Sequence, residues 1–68
     1  MNLREARFER RLTQFDLRLK TGIHQSKISN FEQGYIEPTE IEKKKLSKAL
    51  AVKLSDIDWS GERYGRLG

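Results

Sequence analysis

The segment "TGIHQSKISNFEQG", residues 21–34, is the stretch from which the fold can be predicted. On a helical wheel of residues 25–33, at about 100° per residue, Ile28 and Phe31 mark one narrow apolar side. The charged residues Lys27 and Glu32 fall on the flanks of the wheel. Uncharged polar residues fill a contiguous arc opposite the apolar side: Gln25, Ser26, Ser29, Asn30 and Gln33. The pattern predicts a helix that buries little and presents a face able to donate and accept hydrogen bonds.

Helix starts and ends surround this segment. A hydroxyl residue precedes a carboxylate by three positions in each of three pairs, the pattern of a capping box: Thr13 and Asp16, Thr39 and Glu42, Ser55 and Asp58. Gly22 and Gly34 can take the left-handed conformation that ends a helix, and Pro38 disfavours helix at the residue before it. We therefore expect helices over about 2–11, 14–20, 24–32 and 39–50, and a short turn near 56–59.

Apolar residues at helical spacing are expected to form one small core: Leu3, Ala6, Leu12, Leu17, Ile23, Ile28, Phe31, Ile41, Leu46, Ala49, Leu50 and Leu54. We expect Phe15 and Leu19 to pack against Trp59 or Ile57. The alternative is that these two side chains form a protein-binding patch. The domain is expected to cover residues 1–59, followed by a flexible tail over 60–68 that is rich in glycine.

Size and composition exclude several classes of protein. The chain has 68 residues, no cysteine and one histidine, so a disulfide, a cysteine zinc site or a histidine metal cluster within one chain is not expected. No apolar run approaches the roughly 20 residues that span a bilayer, and no signal peptide is evident, so we expect a cytoplasmic protein. No nucleophile–base pair or phosphate-binding glycine loop is present. Neither an enzyme nor a cofactor is expected.

The positive charge is unevenly distributed. The net charge is +4, and residues 1–31 contain seven basic and three acidic residues, whereas residues 32–68 contain seven of each. A polyanionic partner would explain this excess, and an ordinary solvated surface is the alternative. The lysines of residues 43–48 are expected to form a solvated face balanced by Glu40 and Glu42.

A polar, uncharged helix face is what major-groove recognition requires. Base edges present mixed donors and acceptors, amides pair with adenine, and hydroxyls suit several bases. A merely polar exposed helix is the alternative. The helix–glycine turn–helix arrangement of residues 14–32 favours DNA, because the second helix of such a motif enters the groove.

The chain also resembles a known family, the Cro/C1-type (XRE) helix-turn-helix domain of bacterial and phage repressors. The matching residues are Arg7, "LTQFDL" (12–17), Gly22, "SKISNFEQG" (26–34), Pro38 and "LSKALAVKL" (46–54). The resemblance implies an all-α, five-helix, lambda-repressor-like domain with a central helix-turn-helix. It also implies a transcriptional regulator of the repressor class that binds a palindromic operator in double-stranded DNA as a homodimer.

The resemblance assigns roles to individual residues. Base contacts fall on Gln25, Ser26, Ser29 and Asn30. A phosphate contact falls on Gln14, and a structural ion pair joins Arg7 to Glu32. Further phosphate contacts are expected at His24 when protonated, and at Lys27, Gln33, Arg10 and Arg11, although the last two are equally compatible with plain solvated charges.

Departures from the family pattern support a rival interpretation. The loop after Gly34 reads Tyr35-Ile36-Glu37, where relatives are often basic, and Phe8, Phe15 and Leu19 stand where many relatives are polar. An antitoxin-like or adaptor module on the same fold would use Phe8, Phe15, Leu19 and Tyr35 to hold a protein partner.

Overall fold

The computed structural model describes residues 1–60, which form four α-helices and one 3₁₀ turn. Their bounds are α1 Leu3–Glu9, α2 Gln14–Thr21, α3 Gln25–Gln33, α4 Glu40–Leu50 and the 3₁₀ turn Leu54–Asp56. The all-α class is confirmed, and within the described residues the only β pairing is an isolated bridge between Asn2 and Asp58. The expected fifth helix is a single 3₁₀ turn, which begins two residues before the predicted 56–59 and overlaps it at Asp56. None of the helices in residues 1–60 is long and apolar enough to cross a membrane.

The helix starts follow local side-chain chemistry. Thr13 and Thr39 form the predicted capping boxes at α2 and α4. The box predicted at Ser55 is wrong, because the 3₁₀ turn begins earlier and its N-cap is Lys53, which makes no side-chain cap bond. An unpredicted box starts α1, where Asn2 and Glu5 cap each other's backbone N–H groups. Each side-chain cap stabilises its helix by about 1 kcal/mol.

The turn between α2 and α3 depends on a glycine. Gly22 ends α2 with a φ of 76°, and its N–H donates to the carbonyl of Arg18. Gly34 ends α3 in the same way, with a φ of 78°. Both positions lie in the left-handed region that side chains with a Cβ rarely adopt. The chain therefore reverses sharply after α2 and holds α3 directly against it.

The core lies between the four helices. Its fully buried side chains are Leu3, Leu17, Ile28, Phe31, Leu46 and Leu50. Ala6, Ile23 and Ile57 complete it, and Leu12, Ala49, Val52 and Trp59 pack against its edge. Two predicted core positions differ. Ile41 is 68% exposed because it lies in the first turn of α4 on the outer side, and Leu54 is only partly buried.

Within residues 1–60, the C-terminal segment packs on α4 and on the residues before α1 and does not cover α2. The N–H of Asp58 donates to the carbonyl of Met1 over 2.7 Å, and the Trp59 ring N–H donates to the carbonyl of Leu54 over 3.1 Å. Phe15 and Leu19 are consequently 49% and 69% exposed. The expectation that Trp59 or Ile57 covers these two side chains is wrong, because the return to α1 carries the segment away from them. The expected tail, residues 60–68, lies outside the described residues except for Ser60.

Candidate nucleic-acid interface

α3 is held in the domain by its apolar side and presents its polar side outward. Ile28 and Phe31 are buried in the core, whereas Ser26 is exposed and Gln25, Ser29 and Asn30 are half-buried. Within residues 1–60, the amide side chains of Gln25 and Asn30 make no hydrogen bond. Because a half-buried amide without a partner has its donors and acceptor available, this face can bind a complementary ligand edge.

The two serines on this face are oriented by neighbours. The Gln33 Nε2 donates to the Ser29 Oγ over 3.0 Å, one helical turn away. The Ser26 Oγ lies 2.9 Å from the Nδ1 of His24. A hydroxyl carries one donor and two acceptor positions, so each serine keeps hydrogen-bonding capacity for a ligand. The predicted base-contact residues therefore share one surface.

His24 caps α3 in a way that changes its expected role. Its Nδ1 accepts the backbone N–H of Ser26 over 3.1 Å, so the neutral ring carries its proton on Nε2. That Nε2–H is a donor without any protonation. Adding a proton to Nδ1 would remove the cap. The Nε2–H of the neutral ring can therefore donate to phosphate, and the predicted contact from the protonated ring stays a prediction.

The structure brings Arg7 and Glu32 together in a buried ion pair between α1 and α3. The Arg7 Nε donates to the Glu32 Oε2 over 2.6 Å, and a second guanidinium nitrogen donates to Oε1 over 3.0 Å. The third nitrogen donates to the carbonyl of Leu12 over 2.9 Å. Because both side chains are buried, this paired geometry fixes how α3 sits relative to α1.

Gln14 belongs to the same network. Its Nε2 donates to the Glu32 Oε1 over 3.0 Å, which turns the side chain of this first α2 residue toward the ion pair. One N–H of that amide and the backbone N–H groups of Gln14 and Phe15 remain for an anion, whereas the Asp16 N–H is capped by Thr13. The ion pair thus orients the residue for which a phosphate contact is predicted.

Two of the cations predicted to contact phosphate already bind groups within the domain. Arg10 donates to the carbonyls of Leu50 and Ala51, over 2.8 and 3.1 Å, and so caps the C-terminus of α4. The Lys27 Nζ pairs with the Glu42 Oε2 over 2.6 Å. Because these contacts occupy the two cationic groups, we propose a structural role for Arg10 and Lys27 in place of phosphate contacts.

The Lys27–Glu42 pair changes the pKa of the glutamate. The Lys27 ammonium, followed by the N–H of Thr39, lowers the pKa of the Glu42 carboxyl. Both partners stabilise the charged carboxylate, so this pair ties α3 to the start of α4 at neutral pH. Sequence reasoning gave no signal for the pair, since Lys27 and Glu42 lie on different helices.

Two exposed arginines near α2 are available for phosphate, one of them predicted and one not. Arg11 is exposed, follows α1 with a φ of 56°, and has no ion pair within residues 1–60. Arg18, which was not predicted, is also exposed and lies one helical turn after Gln14 on α2. The spacing of four residues from Gln14 was the available signal for it, because such residues share one helix face.

Comparison with known proteins identifies the fold. A family model described as helix-turn-helix matches residues 3–57, which run from the first residue of α1 to the core residue Ile57. A search of curated proteins and a search of solved structures found no match. The matched range contains the glycine turn, the buried Arg7–Glu32 pair and the polar face of α3. The chain therefore belongs to the Cro/C1-type helix-turn-helix family.

Proposed function

We propose that this DNA-binding helix-turn-helix protein is a sequence-specific transcriptional regulator that reads the major groove with α3. The observation that carries the proposal is the pair of amide side chains, Gln25 and Asn30, which have no hydrogen-bond partner within residues 1–60 and lie on the outward side of α3. An amide can donate to and accept from an adenine edge at once, and one such pair discriminates against other bases by about 1–3 kcal/mol. Ser26 and Ser29 would supply further base contacts.

Contacts to the DNA backbone would set the register of α3. We assign them to Gln14, His24, Gln33 and Arg11, and add Arg18. Gln14 and His24 lie at the N-termini of α2 and α3, where backbone N–H groups and the helix dipole favour a phosphate. Such contacts give affinity and position without sequence information. Each one lost should weaken binding to all duplexes about equally.

The regulator would act as a homodimer in the cytoplasm, by binding and not by catalysis. The proposed module of residues 1–59 is small, and a single module buries too little DNA surface for tight specific binding. Two copies on a palindromic operator, with half-sites about one helical turn apart, would supply the missing contacts. A dimer of this size placed over a promoter excludes polymerase, so we propose repression.

Selection of bound sequences from a random pool of DNA duplexes tests this proposal. We expect an enriched palindrome whose half-sites contain adenines at the positions facing Gln25 and Asn30. The matched control is the Gln25→Ala, Asn30→Ala double variant, which should enrich no palindrome or a shorter one. A parent protein that enriches nothing at low salt would contradict the proposal.

A second candidate function, a protein-interaction module of the antitoxin or adaptor type, is favoured by one observation. Phe15 and Leu19 are exposed one turn apart on α2, and Phe8 and Tyr35 are exposed as well. Large apolar side chains grouped at a surface mark interaction sites. A Phe15→Ser, Leu19→Ser double variant separates the functions. Regulation of a reporter gene should be lost with unchanged operator affinity if a protein partner is required, and retained if DNA binding suffices.

A further inference from the structure

A groove of about 310 Å³ lies between the C-terminal part of α2 and α4. Its lining residues are Lys20, Thr21, Lys45, Lys48 and Ala49. Three of the five carry an ammonium group and none carries a carboxylate. No lining residue belongs to α3, so the groove is separate from the surface proposed to read bases.

The two carboxylates expected to balance the α4 lysines pair with Lys43 and Lys27 and not with the groove lysines. The Lys43 Nζ pairs with Glu37 at 2.9 Å and lies 3.6 Å from Glu40. Glu42 pairs with Lys27 at 2.6 Å. Within residues 1–60, no ion pair therefore reaches the two α4 lysines of the groove. Lys45 and Lys48 are exposed, as expected of a solvated face, but within residues 1–60 they lack the expected balancing carboxylates.

Helix dipoles explain only part of the lysine arrangement. Lys20 and Lys48 lie in the last turns of α2 and α4, where a cation is favourable. Lys20 also interacts with Asp16 and contributes, after the Thr13 hydrogen bonds, to the lowered pKa of that carboxyl. Lys45 lies in the middle of α4, three residues from Lys48, and like charges at this spacing repel. A bound anion would offset the repulsion between the two ammonium groups.

We propose that the α2–α4 groove binds phosphate groups. Lysine binds phosphate as a point charge, and three lysines around one concavity give this groove its selectivity for a polyanion. The Thr21 hydroxyl is not expected to bind the ligand, because it donates to the carbonyl of Leu17 and accepts the N–H of Ile23. The volume is at the lower limit of small-ligand sites, which suits a short polyphosphate chain. The source is either a phosphorylated small molecule or the backbone of a nucleic acid.

Amide chemical shifts of the full chain, followed by NMR during titration with inorganic tripolyphosphate, test this inference. We expect saturable changes centred on the five lining residues. The Lys45→Gln, Lys48→Gln double variant should bind roughly tenfold more weakly or worse, since two charge-assisted contacts are lost. Lys44→Gln with Lys53→Gln is the matched control. It removes the same charge at exposed lysines outside the groove, and should change affinity less than about twofold.

A second titration with a short duplex that contains no operator identifies the source. Dependence on Lys45 and Lys48 for tripolyphosphate assigns a small phosphorylated ligand. The same dependence for the duplex alone assigns a nucleic-acid backbone. Lys20→Gln tests the α2 side separately, so a folding defect in the double variant would not obscure the result. Equal weakening by the two double variants, or no saturation with either ligand, would overturn the proposal. Because α3 is not involved, this outcome is independent of operator recognition.

Discussion

Replacing Arg7 with methionine removes the cation from the buried ion pair that joins α1 to α3. Glu32 would keep only the Gln14 amide, so a buried carboxylate would face one neutral donor. In the reverse change, Glu32→Leu, the Arg7 guanidinium keeps the Leu12 carbonyl and the Phe8 ring, whose centroid lies 4.7 Å away. The Glu32 carboxylate that remains in Arg7→Met has fewer partners than the Arg7 guanidinium that remains in Glu32→Leu. Arg7→Met should therefore destabilise the protein more.

The expected magnitude is large for a domain of this size. Breaking one side of a buried pair costs about 3–5 kcal/mol, whereas the whole domain is stable by roughly 0.05–0.15 kcal/mol per residue. Arg7→Met should therefore leave the protein near its unfolding midpoint at room temperature. Replacing both residues removes both charges together, so the double variant should be more stable than either single variant.

Urea unfolding followed by far-ultraviolet circular dichroism measures these free energies in a double-mutant cycle. We expect a coupling free energy of at least about 2 kcal/mol between Arg7 and Glu32. Arg11→Met is the control, because this exposed arginine has no ion pair within residues 1–60, and it should change stability by less than about 0.5 kcal/mol. Additive single effects, or a double variant less stable than either single variant, would refute the reasoning.

Three further outcomes follow from capping, backbone and pH effects. Arg10→Met removes two hydrogen bonds to the last carbonyls of α4, so urea titration should show a loss of about 1–3 kcal/mol, while the folded variant binds DNA as before. Ala51→Gly should raise the melting temperature, because Ala51 has a φ of 57° and glycine avoids a left-handed strain of about 1 kcal/mol; a lower melting temperature would contradict this. Lys27 is the main cause of the lowered pKa of Glu42. The stabilisation of the folded state by ionised Glu42 is therefore present above the ordinary pKa of about 4.3, and it is lost as pH falls through the folded-state pKa. Glu42→Gln should make the free energy of unfolding depend less on pH over that range. An acid transition like that of the parent protein would show that the pair contributes nothing.

Local sequence signals predicted most of the framework. The capping boxes at Thr13 and Thr39 and the glycines at positions 22 and 34 act within one or two turns of backbone, so their effects can be predicted without knowing the tertiary structure. The polar face of α3 was predicted for the same reason, since a helix of known phase fixes which side chains lie together.

Contacts between elements were not predictable from these signals. The Lys27–Glu42 pair and the Arg10 cap of α4 depend on how whole helices approach each other, which no local pattern encodes. The exposure of Phe15 had a similar cause. The C-terminal segment was expected over α2, but its hydrogen bonds to the start of α1 take it elsewhere.

The claim that α3 reads base edges is tested most directly by binding affinities for the best selected operator and its single-base variants. Gln25→Ala and Asn30→Ala should each cost about 1–3 kcal/mol on that operator and relax the preference at one or two base pairs, with little change on unrelated duplexes. Arg18→Gln, a proposed phosphate contact, should instead weaken binding to all duplexes alike and reduce its salt dependence. If both alanine variants bind every duplex as the parent protein does, α3 is not the reading element.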